Sequence, residues 1–266
     1  MIVSPAALRK RLIDQASEPY RALGRFAYHF ARGKLGRDPV FVGLLERGLF
    51  PDAARILDLG CGQGLLAAWL LAARQLYEAG DWSAQWPAPP RVAELRGIDL
   101  LTIDVQRAQL ACGRWARFEA GDMRQMDLGQ ADVVVIMDAA HYVDGPSQND
   151  LLRRVRAALP PNGLFLTRVG DAGGGLRFQL SNWIDRAVAL FHGLGWRRLY
   201  PRRLPDWIQA LEALGFRVET VPMNGLLPFA NVMLIARLGE GAGVGNQVSA
   251  IADGHRPAHD AGAPFP

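Results

Sequence analysis

The residues best suited to chemistry fall in four short clusters. The first is Ile56-Leu57-Asp58-Leu59-Gly60-Cys61-Gly62-Gln63-Gly64. It leaves an apolar strand, turns on three glycines and enters a helix rich in Ala and Leu. Glycine is needed where a chain turns with positive φ and where a ligand must approach the backbone. A glycine turn alone could be only a tight connection. Asp58 adds a carboxylate at the strand end, which suits a ligand carrying a positive amino group. Cys61 sits inside the turn, where a small side chain is required. The second cluster ends in Asp99-Leu100: a carboxylate at the end of the next strand offers two acceptor oxygens to a pair of hydroxyls. Asp99 could instead serve as a helix N-cap. The third is Gly121-Asp122-Met123, whose Asp122 could otherwise satisfy only loop amides. The fourth is Asp138-Ala139-Ala140-His141, which combines small residues with an imidazole, the side chain best matched to proton removal near neutral pH. His141 could equally be a pocket wall.

These clusters need a scaffold that brings them together. Residues 5–50 read as amphipathic helices with breaks at Pro19, Gly33, Gly36 and Pro39. From Arg55 the pattern becomes strand then helix: strands at Arg55–Leu59, Leu95–Leu100, Ala116–Ala120, Asp132–Asp138 and Gly163–Val169, with helices at Leu65–Leu76, Thr102–Ala111 and Asn149–Leu159. The uninterrupted apolar interior of Asp132–Asp138 fits a strand covered on both faces. A helix at Leu204–Leu214 and strands Phe216–Val221 and Asn231–Arg237 follow. The last two have no helix between them and should pair antiparallel. Repeated βα alternation requires a parallel sheet with helices on both faces, and such sheets bind ligands beyond the carboxyl ends of their strands. All four clusters fall at those ends.

The domain reading is a helical cap over 1–50, a main domain over 51–238 with a lid insertion at about 170–203, and a tail over 239–266. The tail is rich in Gly, Ala and Pro and is expected to be disordered. The insertion carries an amphipathic helix near Phe178–Phe191. A loop over 79–91, with Trp82, Trp86 and three prolines, separates the glycine turn from Asp99 by more than the usual interval of about 20 residues.

Composition narrows the function. Net charge is +4 and half the residues are hydrophobic. The basic residues are scattered, without the concentrated stripe of a nucleic-acid binder, so no nucleic-acid partner is expected. Cys61 and Cys112 are the only cysteines, too few for a disulfide framework or a cysteine-based zinc site. No tight His/Asp/Glu cluster argues for a metal. The N-terminus lacks the apolar core of a signal peptide, and no apolar run approaches the roughly 18 residues of a membrane span. A cytoplasmic location follows as an expectation.

The glycine segment closely resembles the first motif of class I S-adenosylmethionine-dependent methyltransferases, D/E-x-G-x-G-x-G, met by Asp58, Gly60, Gly62 and Gly64. Arg96–Leu100 looks like the family's second motif. The resemblance implies a Rossmann-like α/β fold with a seven-stranded sheet of order 3-2-1-4-5-7-6 and strand seven antiparallel. It also implies S-adenosylmethionine as cofactor. Asp58, Gly60, Cys61, Gly62 and Gly64 would form its turn, and Asp99 and Leu100 would meet the ribose side. Asp122 and Met123 would meet the adenine, and Asp138 would lie beside the transferable methyl. His141 is the candidate catalytic base. Asp-Ala-Ala-His at the end of strand four departs from the Asp/Asn-Pro-Pro-aromatic sequence of nucleobase amino methyltransferases and argues against that acceptor. The aromatic residues of 20–30 and 178–196 read first as core packing; as a lid they would suit a small apolar, aromatic or acyl-type acceptor, free or on a carrier. Arg25, Arg32, Lys34 and Arg168 could pair with an anionic substrate or the cofactor carboxylate, although most of them read as ordinary solvated surface charge. The block Ala31–Phe41 with Pro228–Val232 resembles methyltransferases of bacterial aryl polyene pigment pathways. Two alternatives stay open. A nicotinamide-dependent oxidoreductase shares the glycine turn, although Leu65 stands where a dinucleotide fold needs its third glycine. A methyltransferase-like domain could also bind cofactor without catalysis.

Overall fold

The computed structural model describes residues 3–170, 200–223 and 231–240. Helices α1 (Pro5–Ser17), α2 (Arg25–Arg37) and α3 (Pro39–Glu46) precede the sheet, with a 3-10 turn at Glu18–Leu23. Strands β1 (Ala54–Leu59), β2 (Val92–Asp99), β3 (Arg117–Ala120), β4 (Val133–Met137) and β5 (Leu164–Gly170) are interleaved with α4 (Leu65–Glu78), α5 (Thr102–Cys112) and α6 (Gly145–Ala158). Helix α7 (Leu204–Ala213) leads into β6 (Phe216–Pro222), and β7 (Asn231–Leu238) closes the fold. The seven strands lie in the order 3-2-1-4-5-7-6. β1 to β5 pair in parallel, and β7 runs antiparallel between β5 and β6.

Two hydrophobic layers cover the sheet. One packs α1–α5 against Ile56, Leu95, Val133, Val135, Leu164 and Leu166. The other packs α6 and α7 against Leu57, Leu59, Val134, Ile136, Phe165 and Leu234. Successive residues of β1 and β4 thus point to opposite layers, the period-2 signature of strands buried on both faces. Trp69 is fully buried in the first layer, and its indole N–H donates to the Phe41 carbonyl at 2.8 Å.

The structure corrects the sequence reading of the N-terminal helices at two positions. Gly33 and Gly36 do not break α2; they lie inside it. Interior glycines cost about 1 kcal/mol each, but α2 is held by tertiary contacts. Arg9 Nη2 donates to the Gly36 carbonyl at 2.8 Å, and the position of a Gly36 Cβ lies 3.7 Å from Ile13 Cδ1. The break falls at Gly24 (φ 107), and α3 starts at Pro39. Helix α6 begins earlier than its apolar pattern suggests. Asp144 caps it by accepting from the Ser147 N–H, and Pro146 occupies the first turn, where a missing N–H costs nothing.

The 79–91 loop joins α4 to β2 and therefore lies at the amino ends of the strands, opposite the carboxyl ends where the clusters meet. Its Trp86 is buried, Trp82 Nε1 donates to the Pro87 carbonyl, and Pro87 packs against Gly48. The loop lengthens the chain between the glycine turn and Asp99 without displacing either. The insertion at 171–199, the connection at 224–230 and the tail from 241 lie outside the described residues, as do the readings placed on them.

Candidate functional site

The turn after β1 is shaped by three glycines with positive φ: Gly60 (78°), Gly62 (53°) and Gly64 (80°). Each serves a different purpose. A Cβ on Gly60 would lie 2.4 Å from Ala139 Cβ, so this glycine lets the turn touch the segment after β4. A Cβ on Gly64 would press on Ala108 and Phe118, so this glycine seats α4 against α5 and β3. At Gly62 nothing lies within 4 Å. That opening is where a ligand can reach the backbone. Cys61 has its small side chain for a packing reason: its Sγ lies 2.9 Å from where a Gly97 Cβ would be.

Asp99 closes the site on the β2 side. Its Oδ2 accepts from the Gly62 N–H at 2.8 Å and its Oδ1 from the Leu101 N–H at 2.9 Å. It therefore ties down the glycine turn and orders the short turn that leads into α5, whose N-cap is Leu101 without a side-chain cap bond. Each oxygen keeps a second lone pair for a ligand hydroxyl. Burial raises its pKa, opposed by the Leu101 and Gly62 backbone bonds. Asp58, at the end of β1, is 4 % exposed. Burial, reinforced by the nearby Asp99 carboxylate, pushes it up to about 7. A buried and a half-buried carboxyl close enough to repel each other form a place where a cation is favoured. Leu100, next to Asp99, is 45 % exposed and offers apolar surface at the same edge.

The 121–126 loop brings Met123 over the turn, its Cε 3.6 Å from the position of a Gly60 Cβ. Asp122 is engaged within its own loop: it accepts from the Arg124 N–H and from the Arg124 guanidinium. The loop is held from α6 by Arg154, which donates to the carbonyls of Met123, Arg124 and Met126. Nothing in the sequence pattern marked Arg154, because an arginine on a polar helix face is ordinary.

At the end of β4, Asp138 adopts φ 57° and joins a four-charge cluster. Arg168 Nε donates to Asp138 Oδ1 at 2.6 Å, with a second bond from Nη2, while Arg168 Nη1 reaches Asp38. Lys34 Nζ bridges Asp138 and Asp38, each at 2.8 Å. Arg168 and Asp38 are buried, whereas the Lys34 and Asp138 side chains are 35 % and 37 % exposed. Burial alone would raise Asp138, but Arg168 and Lys34 hold it well below the ordinary carboxylate range. Asp38 is lowered in the same way. Two cations and two anions cancel. Asp38 also caps α3 by accepting from the Val40 N–H, so the cluster fastens the N-terminal helices to the carboxyl ends of β4 and β5.

His141 lies in the 3-10 turn Ala140–Tyr142, its ring tilted against Tyr142 at 4.3 Å between centroids. Its carbonyl accepts from the Tyr200 N–H at 2.8 Å. Gln148 holds the segment in place: its buried carboxamide donates to the carbonyls of Ala140, Val143 and Tyr200. A signal for Gln148 was present in the sequence. It occupies the apolar face of α6 with Leu151, Leu152 and Val155, and a polar residue at a core-facing position needs partners there. Of the lid aromatics, Tyr20 is fully buried, Phe26 is 52 % exposed and stacks on Phe30, and 178–196 lie outside the described residues. Arg32 pairs with Asp14, away from the cluster.

The described residues thus place the glycine turn, Asp58, Asp99 and Leu100 at the carboxyl ends of β1 and β2, bring Met123 over Gly60, and set the segment after β4, which holds Asp138 and His141, against Gly60 through Ala139. Sheet order, antiparallel β7 and this edge define the fold of S-adenosylmethionine-dependent methyltransferases. Residues 28–221 match the family model described as a methyltransferase domain, and the chain belongs to that family, whose cofactor is S-adenosylmethionine. Among solved structures it is similar to the magnesium protoporphyrin IX methyltransferase of Synechocystis PCC 6803 with bound SAH, at 17 % identity and TM-score 0.54, covering 89 % of this chain and 100 % of that one. It is also similar to an O-methyltransferase family protein from Burkholderia thailandensis, at 20 % identity and TM-score 0.56, covering 81 % of this chain and 59 % of that one. An S-adenosylmethionine-dependent methyltransferase from Mesorhizobium loti matches at 20 % identity and TM-score 0.51, covering 75 % and 96 %. At these identities the likeness is one of fold. No curated protein matches the sequence.

Proposed function

We propose that this chain transfers a methyl group from S-adenosylmethionine to a small neutral acceptor of apolar, aromatic or acyl type, free or on a carrier. The charge balance after β4 and β5 carries the acceptor class. Lys34 and Arg168, the cations best placed to pair with an anionic acceptor, are both taken up by Asp38 and Asp138. Among the described residues a carboxylate entering there would gain no unpaired cation from this cluster and would lose its hydration.

In this reading Asp99 receives the ribose hydroxyls on its remaining lone pairs, and Asp58 faces the ammonium group. Leu100 lies beside Asp99 on the ribose side, and Asp122 and Met123 border the adenine. Gly60, Cys61, Gly62 and Gly64 supply the backbone beneath the cofactor. Asp138, whose carboxylate is already engaged, acts through its backbone, which sets the approach of Ala139 to Gly60. The cofactor supplies a carbon activated by positively charged sulfur, so the protein's own task is alignment, exclusion of water and, for a hydroxyl acceptor, removal of a proton. Ala139 and Ala140 leave room for the acceptor beside the turn. His141, fixed by its neighbours Gln148 and Tyr200, is the candidate base for a hydroxyl.

The test is a panel of phenols, free carboxylic acids and acyl-carrier substrates with methyl-labelled S-adenosylmethionine. Label should enter phenolic or acyl compounds and leave the carboxylates untouched. Preferential labelling of free carboxylates would overturn the acceptor assignment.

A further inference from the structure

Gln63 lies between the second and third glycines of the turn and is 2 % exposed. Its side chain runs toward the N-terminal helices, where Nε2 donates to the Ala27 carbonyl of α2 at 3.0 Å. Its own carbonyl accepts from Tyr20 Oη at 2.8 Å, with Tyr20 fully buried. The turn is thus gripped from both sides of the bend between the 3-10 turn and α2. One atom is left over: Gln63 Oε1 is buried and has no hydrogen-bond partner among the described residues. A buried acceptor without a donor is costly, and leucine or methionine would fill the same volume without that cost. A carboxamide oxygen kept in this position calls for a donor that the described residues do not supply.

The surroundings say what kind of donor. Next to Gln63, Gly62 faces open space. Asp58 and Asp99 close the neighbouring strands β1 and β2 beside the turn, Asp58 buried and Asp99 half-buried, with Asp99 Oδ2 bonded to the Gly62 N–H. Gln63, Asp58 and Asp99 all bring acceptor oxygens to this turn and its flanks, and a primary ammonium brings three donors and a positive charge. We propose that Gln63 is a further cofactor-binding residue, its Oε1 accepting a hydrogen bond from the ammonium of the aminoacyl tail while Ala27 and Tyr20 fix the plane of the carboxamide. This rests on the S-adenosylmethionine reading and adds a residue to it. It also gives the N-terminal helices a role in binding, since residues 20 and 27 orient a group that meets the ligand.

The experiment compares two ligands on the full chain by calorimetric titration. S-adenosylhomocysteine carries the aminoacyl tail; 5′-methylthioadenosine has the same adenosine and lacks it. Gln63→Leu should weaken S-adenosylhomocysteine about ten- to a hundredfold, the worth of one hydrogen bond to a charged group. It should leave 5′-methylthioadenosine within about threefold, and Gln63→Met, which keeps the length, should behave alike. Equal weakening of both ligands would mean that Gln63 only braces the turn, and no change in either would remove it from the site; both results overturn the proposal. If the wild-type chain binds neither ligand, the S-adenosylmethionine reading itself fails, independently of Gln63.

Discussion

Asp58→Asn should make the ligand-free protein more stable at alkaline pH while weakening the site. The wild-type carboxyl has its pKa raised from 3.8 to about 7 by burial and by Asp99. Below about pH 4 the group is protonated in both the folded and unfolded chains, and its neutral form sits comfortably in the core. As pH rises through 4 to 7 the unfolded chain gives up this proton and the folded one keeps it. The folded state binds more protons across that window, so stability falls with pH and the loss is complete above about 7. The interval from 3.8 to about 7 sets a ceiling of ~4 kcal/mol at ~1.36 kcal/mol per pH unit. Relaxation and water entry should leave about half of it. Asparagine has no such titration. The stability of the variant minus that of wild type should therefore grow by about 2 kcal/mol between pH 4.5 and pH 8, or roughly 4–8 °C in melting temperature. Comparing the two pH values cancels any fixed effect of the amide. Cofactor binding should show the opposite preference. A cationic tail favours ionised Asp58, so wild-type affinity for S-adenosylhomocysteine should rise toward pH 7–8, about tenfold per unit below it, and the variant should be weak and flat. Urea unfolding at several pH values and calorimetric titration read both quantities. A stability difference that stays constant from pH 4.5 to 8 would refute the argument that a buried, repelled carboxyl sits at this strand end.

Asp99→Ala, which under the proposed reading loses two charge-assisted bonds to ribose, should weaken S-adenosylhomocysteine roughly ten- to several-hundredfold; calorimetry on a folded variant with unchanged affinity would remove Asp99 from the site. Arg168→Met leaves Asp38 and Asp138 sharing only Lys34 and should cost about 3 kcal/mol or more in denaturant unfolding. Adding Asp38→Asn should recover part of that, and additive losses in the double variant would show that the two residues do not act as a pair. His141→Ala should lower kcat by about 10²–10⁴ on a hydroxyl acceptor found by the labelled-cofactor panel, with cofactor affinity nearly unchanged. Near-normal kcat would make His141 a pocket wall.

What the sequence by itself determined is whatever is written in local pattern. Period-2 and continuous apolar runs specified the strands. Glycines 60, 62 and 64 marked a turn that only positive φ can make, and the carboxylates Asp58 and Asp99 were legible because they end apolar strands. The resemblance to the first methyltransferase motif then implied the sheet order that the structure shows. Tertiary structure decided the rest, because the deciding contacts join residues far apart in the chain. Lys34 and Arg168 looked like candidates for an anionic ligand until Asp38 and Asp138 were brought against them from α3 and β4. Asp99 stood too far from the glycine turn until the 79–91 loop proved to sit at the opposite edge of the sheet, and its bond to the Gly62 N–H fixed its place. Gln63 was merely the residue between two glycines until α2 and Tyr20 closed around it. A turn or strand end announces itself through its own backbone requirements. The partner of a charge or the emptiness beside an acceptor exists only after distant segments pack.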